Sequence, residues 1–176
     1  MKIGLFGGTF DPIHEGHIHV ANVAISVGLD RVVFVPNYFS SLKIGKPFYP
    51  KERRLNMICE KIYKDKKYAL DTFQIMSDED CPSYTIDLVR KYKLRLSYAD
   101  ELYYIMGGDA FCELDEYKNW QEILYLSKLV VIPRSEKGKK EKNALKKKFA
   151  KFENRIYIIN CKINTQSSTK MRKKLK

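Results

Sequence analysis

The chain of 176 residues predicts an α/β fold, a Rossmann-like doubly wound parallel sheet with helices on both faces. Strand-like and helical stretches alternate from one end to the other, the pattern of βαβ units. Several strand candidates are near-continuous apolar runs, as strands must be when both faces of a sheet are covered. The third observation concerns the first strand-to-helix turn. All three histidines, His14, His17 and His19, fall there, directly behind Gly7-Gly8-Thr9-Phe10-Asp11-Pro12. In an open α/β sheet such a turn lies at the carboxyl end of a strand, where ligands bind, and the helix start offers unpaired N–H groups to an anion.

The strands expected are Lys2 to Phe6, Arg31 to Pro36, Tyr68 to Ile75, Leu102 to Gly107, Lys128 to Pro133 and Arg155 to Asn160. A helix over Gly16 to Val27 carries Ile18, Ala21, Ala24 and Ile25 on one face and stops at Gly28, a natural C-terminal cap. The helix from Lys51 to Lys64 sets Leu55, Ile58, Cys59 and Ile62 at i, i+3, i+4 and i+7. Two more helical stretches are Tyr84 to Leu96 and Ala110 to Leu126, the latter broken near Asp115; Lys139 to Phe152 is rich in lysine, poor in apolar residues and expected to be peripheral. This length fits one domain with a core that needs no staples.

The net charge of +12 admits a nucleic-acid or membrane-surface reading, but much of the excess lies in Lys137 to Lys151 and Lys170 to Lys176, which read as solvated faces. No RNP-type aromatic motif, KH loop or zinc finger accompanies the charge, so no nucleic-acid partner is expected. No apolar run approaches the roughly 20 residues of a membrane span, so no membrane partner is expected either. Cys59, Cys81, Cys112 and Cys161 show no paired spacing, and no signal peptide is present, which points to a reducing cytoplasm. Zinc is a rival use of the histidines, but it usually takes three or four ligands, and His19 would point away from His17 on a helix.

The string GGTFDPIHEGH, Gly7 to His17, resembles the GxFDxxHxGH signature of the nucleotidyltransferase superfamily, in the form used by bacterial nicotinate-mononucleotide adenylyltransferases. Three further segments resemble the same family, so the likeness spans essentially the whole chain. Ser83-Tyr84-Thr85-Ile86-Asp87 is similar to its SYTIDT segment, whose backbone at the Thr helps hold the nicotinate carboxylate; Leu88 stands for the final Thr. Ser83 also reads as the cap of the helix beginning there. Gly107-Gly108-Asp109-Ala110-Phe111 looks like the GxDxF turn, where the Asp and adjacent backbone face the nucleotide ribose and base. Ser167-Ser168-Thr169-Lys170-Met171-Arg172 is similar to ISSTxIR, whose hydroxyls, N–H groups and Arg grip the triphosphate.

The departures are specific. Lys43 stands where the family carries the Lys of a PPHK segment, but Ser40, Ser41 and Leu42 replace its other residues. Arg54 falls where a helix-start Arg is usual and Arg134 where an Arg lies near the adenine; taken alone, each reads as a solvated surface cation. The family's LPKWYxW becomes Leu114-Asp115-Glu116-Tyr117-Lys118-Asn119-Trp120, which puts Tyr117, a smaller stacking face, in the place of the Trp against the nicotinate ring. The family also continues past ISSTxIR for another helical segment, whereas this chain ends at Lys176, which leaves open a truncated C-terminus or a further domain.

The resemblance implies transfer of AMP from ATP to nicotinate mononucleotide, with Mg²⁺ carried by the ATP phosphates and no metal cage in the protein. Phosphopantetheine, nicotinamide mononucleotide or a cytidylyl reaction are the alternatives within the superfamily. Catalysis is expected from His14, His17, Lys43 and Arg172. ATP is expected to meet Gly7, Gly8, Thr9 and Phe10, His14 and His17, Gly107 and Asp109, Arg134, Ser167, Ser168 and Arg172. The mononucleotide is expected at Lys43, Ser83, Tyr84, Thr85, Asp109 and Tyr117. The chain is compatible with a monomer or a homo-oligomer.

Overall fold

Strands β1 (Lys2–Gly8), β2 (Arg31–Pro36), β3 (Tyr68–Leu70), β4 (Glu101–Gly107), β5 (Lys128–Ile132) and β6 (Ile156–Ile158) form one sheet. Their order is β3-β2-β1-β4-β5-β6, and every neighbouring pair is parallel. The order reverses between β1 and β4, the switch point at which doubly wound sheets bind nucleotides. The computed structural model describes residues 1–38, 47–76, 82–133, 138–159 and 161.

Alternation along the strands divides the core in two. Leu5, Val33, Val35, Tyr104, Met106, Leu129 and Val131 point to one face, against α3 (Thr85–Arg95), α4 (Gly108–Cys112), α5 (Trp120–Leu126) and α6 (Lys139–Lys148). Phe6, Val32, Phe34, Tyr103, Ile105 and Val130 point to the other, where Ala21 and Ala24 of α1 (Glu15–Ser26) and Ile58 and Ile62 of α2 (Lys51–Ile62) cover them. Among the described residues no helix is long and apolar enough to cross a membrane.

Several expectations need correction. The third strand stops at Leu70, because the Asp71 carboxylate accepts the Phe73 N–H at 2.7 Å and turns the chain; Ile75 is buried from that turn. The stretch 110–126 does break around Asp115 as expected, into α4, a 3₁₀ turn at Leu114–Glu116, and α5; only its start differs, at Gly108, and the break extends through an extended Tyr117 and an Asn119 with a left-handed φ of 52°. The lysine-rich helix ends at Lys148, and the 3₁₀ segment Ala150–Arg155 follows, shortening β6 at its start. Nor is that region peripheral throughout. Phe149 is fully buried, 5.1 Å from the Phe111 ring and 5.4 Å from Trp120.

Arg54 is the largest correction: it is 1% exposed rather than a surface cation. From α2 its Nη1 donates to the carbonyls of Thr9 (2.8 Å) and Asn37 (2.7 Å), and its Nη2 donates to Tyr38 (3.1 Å). One guanidinium therefore clasps the chain as it leaves β1 and β2, a fork no other side chain supplies. Burial works to lower its pKa, and the nearby Asp11 carboxylate opposes that. Arg54→Met should cost on the order of 3 kcal/mol, because three carbonyls lose a charged donor. Urea denaturation should show a lower midpoint at unchanged slope, with Arg54→Lys giving little rescue.

Candidate active site

The turn after β1 is built from the inside outward. Phe10 adopts φ 46° and is 2% exposed, packing edge-on against Phe6 at 5.5 Å. Its ring belongs to the core, so only its backbone can face a ligand. Both Asp11 carboxylate oxygens accept backbone N–H groups, from Phe48 (2.7 Å) and Tyr49 (2.9 Å), which fastens the turn to the segment entering α2.

His14 and His17 close the start of α1 reciprocally. His14 is the N-cap residue, and its Nδ1 accepts the Gly16 N–H at 3.1 Å. His17 Nδ1 accepts the His14 N–H at 3.2 Å. This is the geometry of a capping box, with imidazoles where Ser or Thr and Glu or Gln usually stand. The rings stack 3.8 Å apart at 27°, and His17 also packs edge-on against Phe10 at 4.9 Å. Because both Nδ1 atoms accept, the proton of each neutral ring sits on Nε2, a hydrogen-bond donor. The same bonds engage the Nδ1 lone pairs that a metal would need.

The other expected residues that lie among the described ones are found at the same end of the sheet. Gly7 and Gly8 end β1, and Gly107 ends β4 across the switch point. A side chain at Gly107 would meet open space, whereas one at Gly108 would lie 1.9 Å from Glu141 Oε1, so Gly107 faces outward and Gly108 lets α6 rest on the strand end. Asp109 lies in the first turn of α4. Tyr84 is the N-cap of α3 and Thr85 its first residue. Ser83 does not cap this helix; the chain turns one residue later, and its Oγ donates to the Gln74 carbonyl at 3.3 Å. Tyr117 is half-buried against the core beside Trp120, and the burial pushes its phenol up. Lys43, Arg134, Ser167, Ser168 and Arg172 lie outside the described residues.

Two residues absent from the sequence-based expectations support the site. Gln74, 6% exposed, donates from Nε2 to the Tyr84 carbonyl at 2.8 Å and holds the start of α3. Tyr104, buried on β4, places its hydroxyl 3.3 Å from Thr85 Oγ1. A Cβ at Gly7 would lie 2.6 Å from that hydroxyl, so only glycine leaves room for it. The signal for Tyr104 was available: a phenol in an apolar strand needs a polar partner.

His14→Ala should destabilise the protein by about 1 kcal/mol through loss of the helix cap, while His14→Asn, a good N-cap, should stay near the parent. Thermal melts of the two variants side by side check this.

A cytidylyltransferase-like family model matches residues 5–174. The chain is 33% identical over 180 residues to a probable nicotinate-nucleotide adenylyltransferase of Clostridium novyi (strain NT), covering 99% of this chain and 87% of that protein. It is 38% identical over 138 residues to a protein of the same description from Shewanella baltica (strain OS223), covering 76% of this chain and 61% of the relative. Among solved structures it is similar to the Plasmodium falciparum nicotinic acid mononucleotide adenylyltransferase complexed with NaAD, with a TM-score of 0.76 at 22% identity, over 98% of this chain and 82% of that one. At that identity the likeness speaks for the fold. The capped histidine turn at a switch point, and sequence relatives aligned across it, together place the chain in the cytidylyltransferase-like family, beside the nicotinate-nucleotide adenylyltransferases.

Proposed function

We infer that the chain transfers AMP from ATP to nicotinate mononucleotide, giving nicotinate adenine dinucleotide and pyrophosphate, a step of NAD biosynthesis. The observation that carries this reading is the pair of reciprocally capped histidines at the switch point. The descriptions of the relatives favour this acceptor over phosphopantetheine.

The chemistry asks for little beyond charge and position. An oxygen of the acceptor phosphate, already ionised at neutral pH, attacks the α-phosphorus of ATP; the bond from that phosphorus to the bridging oxygen breaks, and pyrophosphate leaves with the electron pair. No strong base is required. What opposes the reaction is repulsion between two anions and the charge that gathers on the transferring group, which fixed donors offset without reorganising.

In this reading the Nε2–H groups of His14 and His17 donate to the ATP phosphates, His17 nearest the α-phosphate. The backbone of Gly7, Gly8, Thr9 and Phe10 lines the phosphates. Gly107 and Asp109 meet the ribose and base, with Arg134 near the adenine. Lys43, Ser167, Ser168 and Arg172 bind phosphate oxygens. Ser83, Tyr84 and Thr85 receive the nicotinate carboxylate, and Tyr117 stacks on the pyridine ring. ATP enters as its Mg²⁺ complex. The groups at this turn suit an anion rather than a bare cation, since the imidazoles offer N–H donors and both Asp11 oxygens are engaged by backbone. A cytoplasmic setting belongs to the same reading.

His17→Ala should lower kcat by roughly a hundredfold or more, the range for loss of a transition-state donor. The assay supplies Mg-ATP with nicotinate mononucleotide, nicotinamide mononucleotide or phosphopantetheine and identifies products by mass. Near-normal turnover of the variant would remove the assignment of His17, and preference for phosphopantetheine would overturn the choice of acceptor.

A further inference from the structure

We propose that the Tyr104 hydroxyl fixes the direction in which Thr85 donates its hydrogen bond, and so favours an acceptor carrying a carboxylate over one carrying a carboxamide. The proposal rests on the preceding reading, in which Ser83 to Thr85 receive the acid group of the mononucleotide.

Tyr104 projects from β4 toward α3 and stops between the two halves of the site. On one side its hydroxyl lies against Gly7 of the phosphate-binding turn, where a Cβ would be 2.6 Å away. On the other it is 3.3 Å from Thr85 Oγ1, at the first position of α3. Both are hydroxyls, so distance alone does not say which one donates. Acidity does, because a phenol is a far better donor than an aliphatic alcohol. A phenol is protonated at neutral pH, and burial pushes its pKa up further, so it keeps its hydrogen. Among the described residues the Thr85 hydroxyl is its hydrogen-bond partner, and with the phenol assigned as donor that bond satisfies it.

The consequence passes to Thr85, which is partly exposed where Tyr104 is buried. With its oxygen accepting from inside the protein, the threonine hydroxyl directs its own hydrogen outward. A carboxylate presents only acceptors and can take that hydrogen through either oxygen. A carboxamide satisfies it with one end only, and its NH₂ group, turned that way, meets donor against donor. Discrimination by an unpaired polar group is the strong form of selectivity, beyond what shape provides. Tyr104 is thus a positioning residue acting through Thr85. It compensates at the acid end for the smaller stacking face of Tyr117 at the ring.

The test compares kcat/KM for nicotinate and nicotinamide mononucleotides in the parent, Tyr104→Phe, Thr85→Val and the double variant, with KM for ATP measured alongside. Tyr104→Phe keeps the ring and the packing but deletes the fixed donor. The expected result is a parent that prefers the acid and a Tyr104→Phe variant whose acid-to-amide ratio falls by roughly tenfold, the scale of one redirected hydrogen bond, with KM for ATP unchanged. Thr85→Val should lower the ratio similarly, and the double variant should add nothing. An unchanged ratio in Tyr104→Phe, or equal losses on both acceptors with a raised KM for ATP, would overturn the proposal while leaving the reaction intact. A parent active on neither pyridine mononucleotide would remove the reaction and the proposal together.

Discussion

Two hydrogen bonds at the start of α1 govern the rest: Gly16 N–H to His14 Nδ1, and His14 N–H to His17 Nδ1. A helix entering from a sharp turn needs acceptors for its first N–H groups, and short oxygen-bearing side chains usually provide them. An aspartate or glutamate there would meet the same need and leave a negative charge facing any phosphate. Imidazole provides the acceptor on one nitrogen and keeps a donor on the other. On the proposed function, the structural requirement of the helix and the chemical requirement of an anion site fall on the same two rings.

The surroundings hold that arrangement rigid. Phe10 and Phe6 form an apolar floor under His17. Arg54 gathers the carbonyls of Thr9, Asn37 and Tyr38, and Asp11 gathers the N–H groups of Phe48 and Tyr49, so the chain leaving two adjacent strands is tied into one unit. The Tyr104 hydroxyl sits where a Cβ at Gly7 would clash and also contacts Thr85 at the start of α3, so the end of β1 and the start of α3 are packed around the same phenol. Electrostatic catalysis requires donors that do not move as charge develops, and a turn fastened on three sides meets that condition.

The parallel sheet was legible because strands buried on both faces must be apolar throughout, and α1 and α2 because their apolar residues recur at helical spacing. The misreadings have physical causes. Ile75 is apolar because it is buried, and burial does not require a strand once Asp71 has turned the chain. The break near Asp115 was legible, whereas its extent through the extended Tyr117 and left-handed Asn119 is a backbone event that side-chain periodicity does not encode. Arg54 reads as a surface cation because its partners are carbonyls, which every residue carries and no pattern marks. Of the site, the histidine turn could be found from residue types alone. The roles of Gln74 and Tyr104 depend on contacts between elements distant in sequence.

The site depends on which nitrogen of each histidine holds its proton and on what that proton meets. Titrating ¹⁵N-labelled protein with a non-hydrolysable ATP analogue, and following the histidine ring nitrogens by NMR, reads this proton assignment. Both His14 and His17 should be protonated on Nε2 before the analogue is added, keep Nδ1 as the acceptor, and shift their Nε2–H resonances downfield on binding. Saturation by the analogue with both Nε2–H resonances unmoved, or free rings protonated on Nδ1, would contradict it.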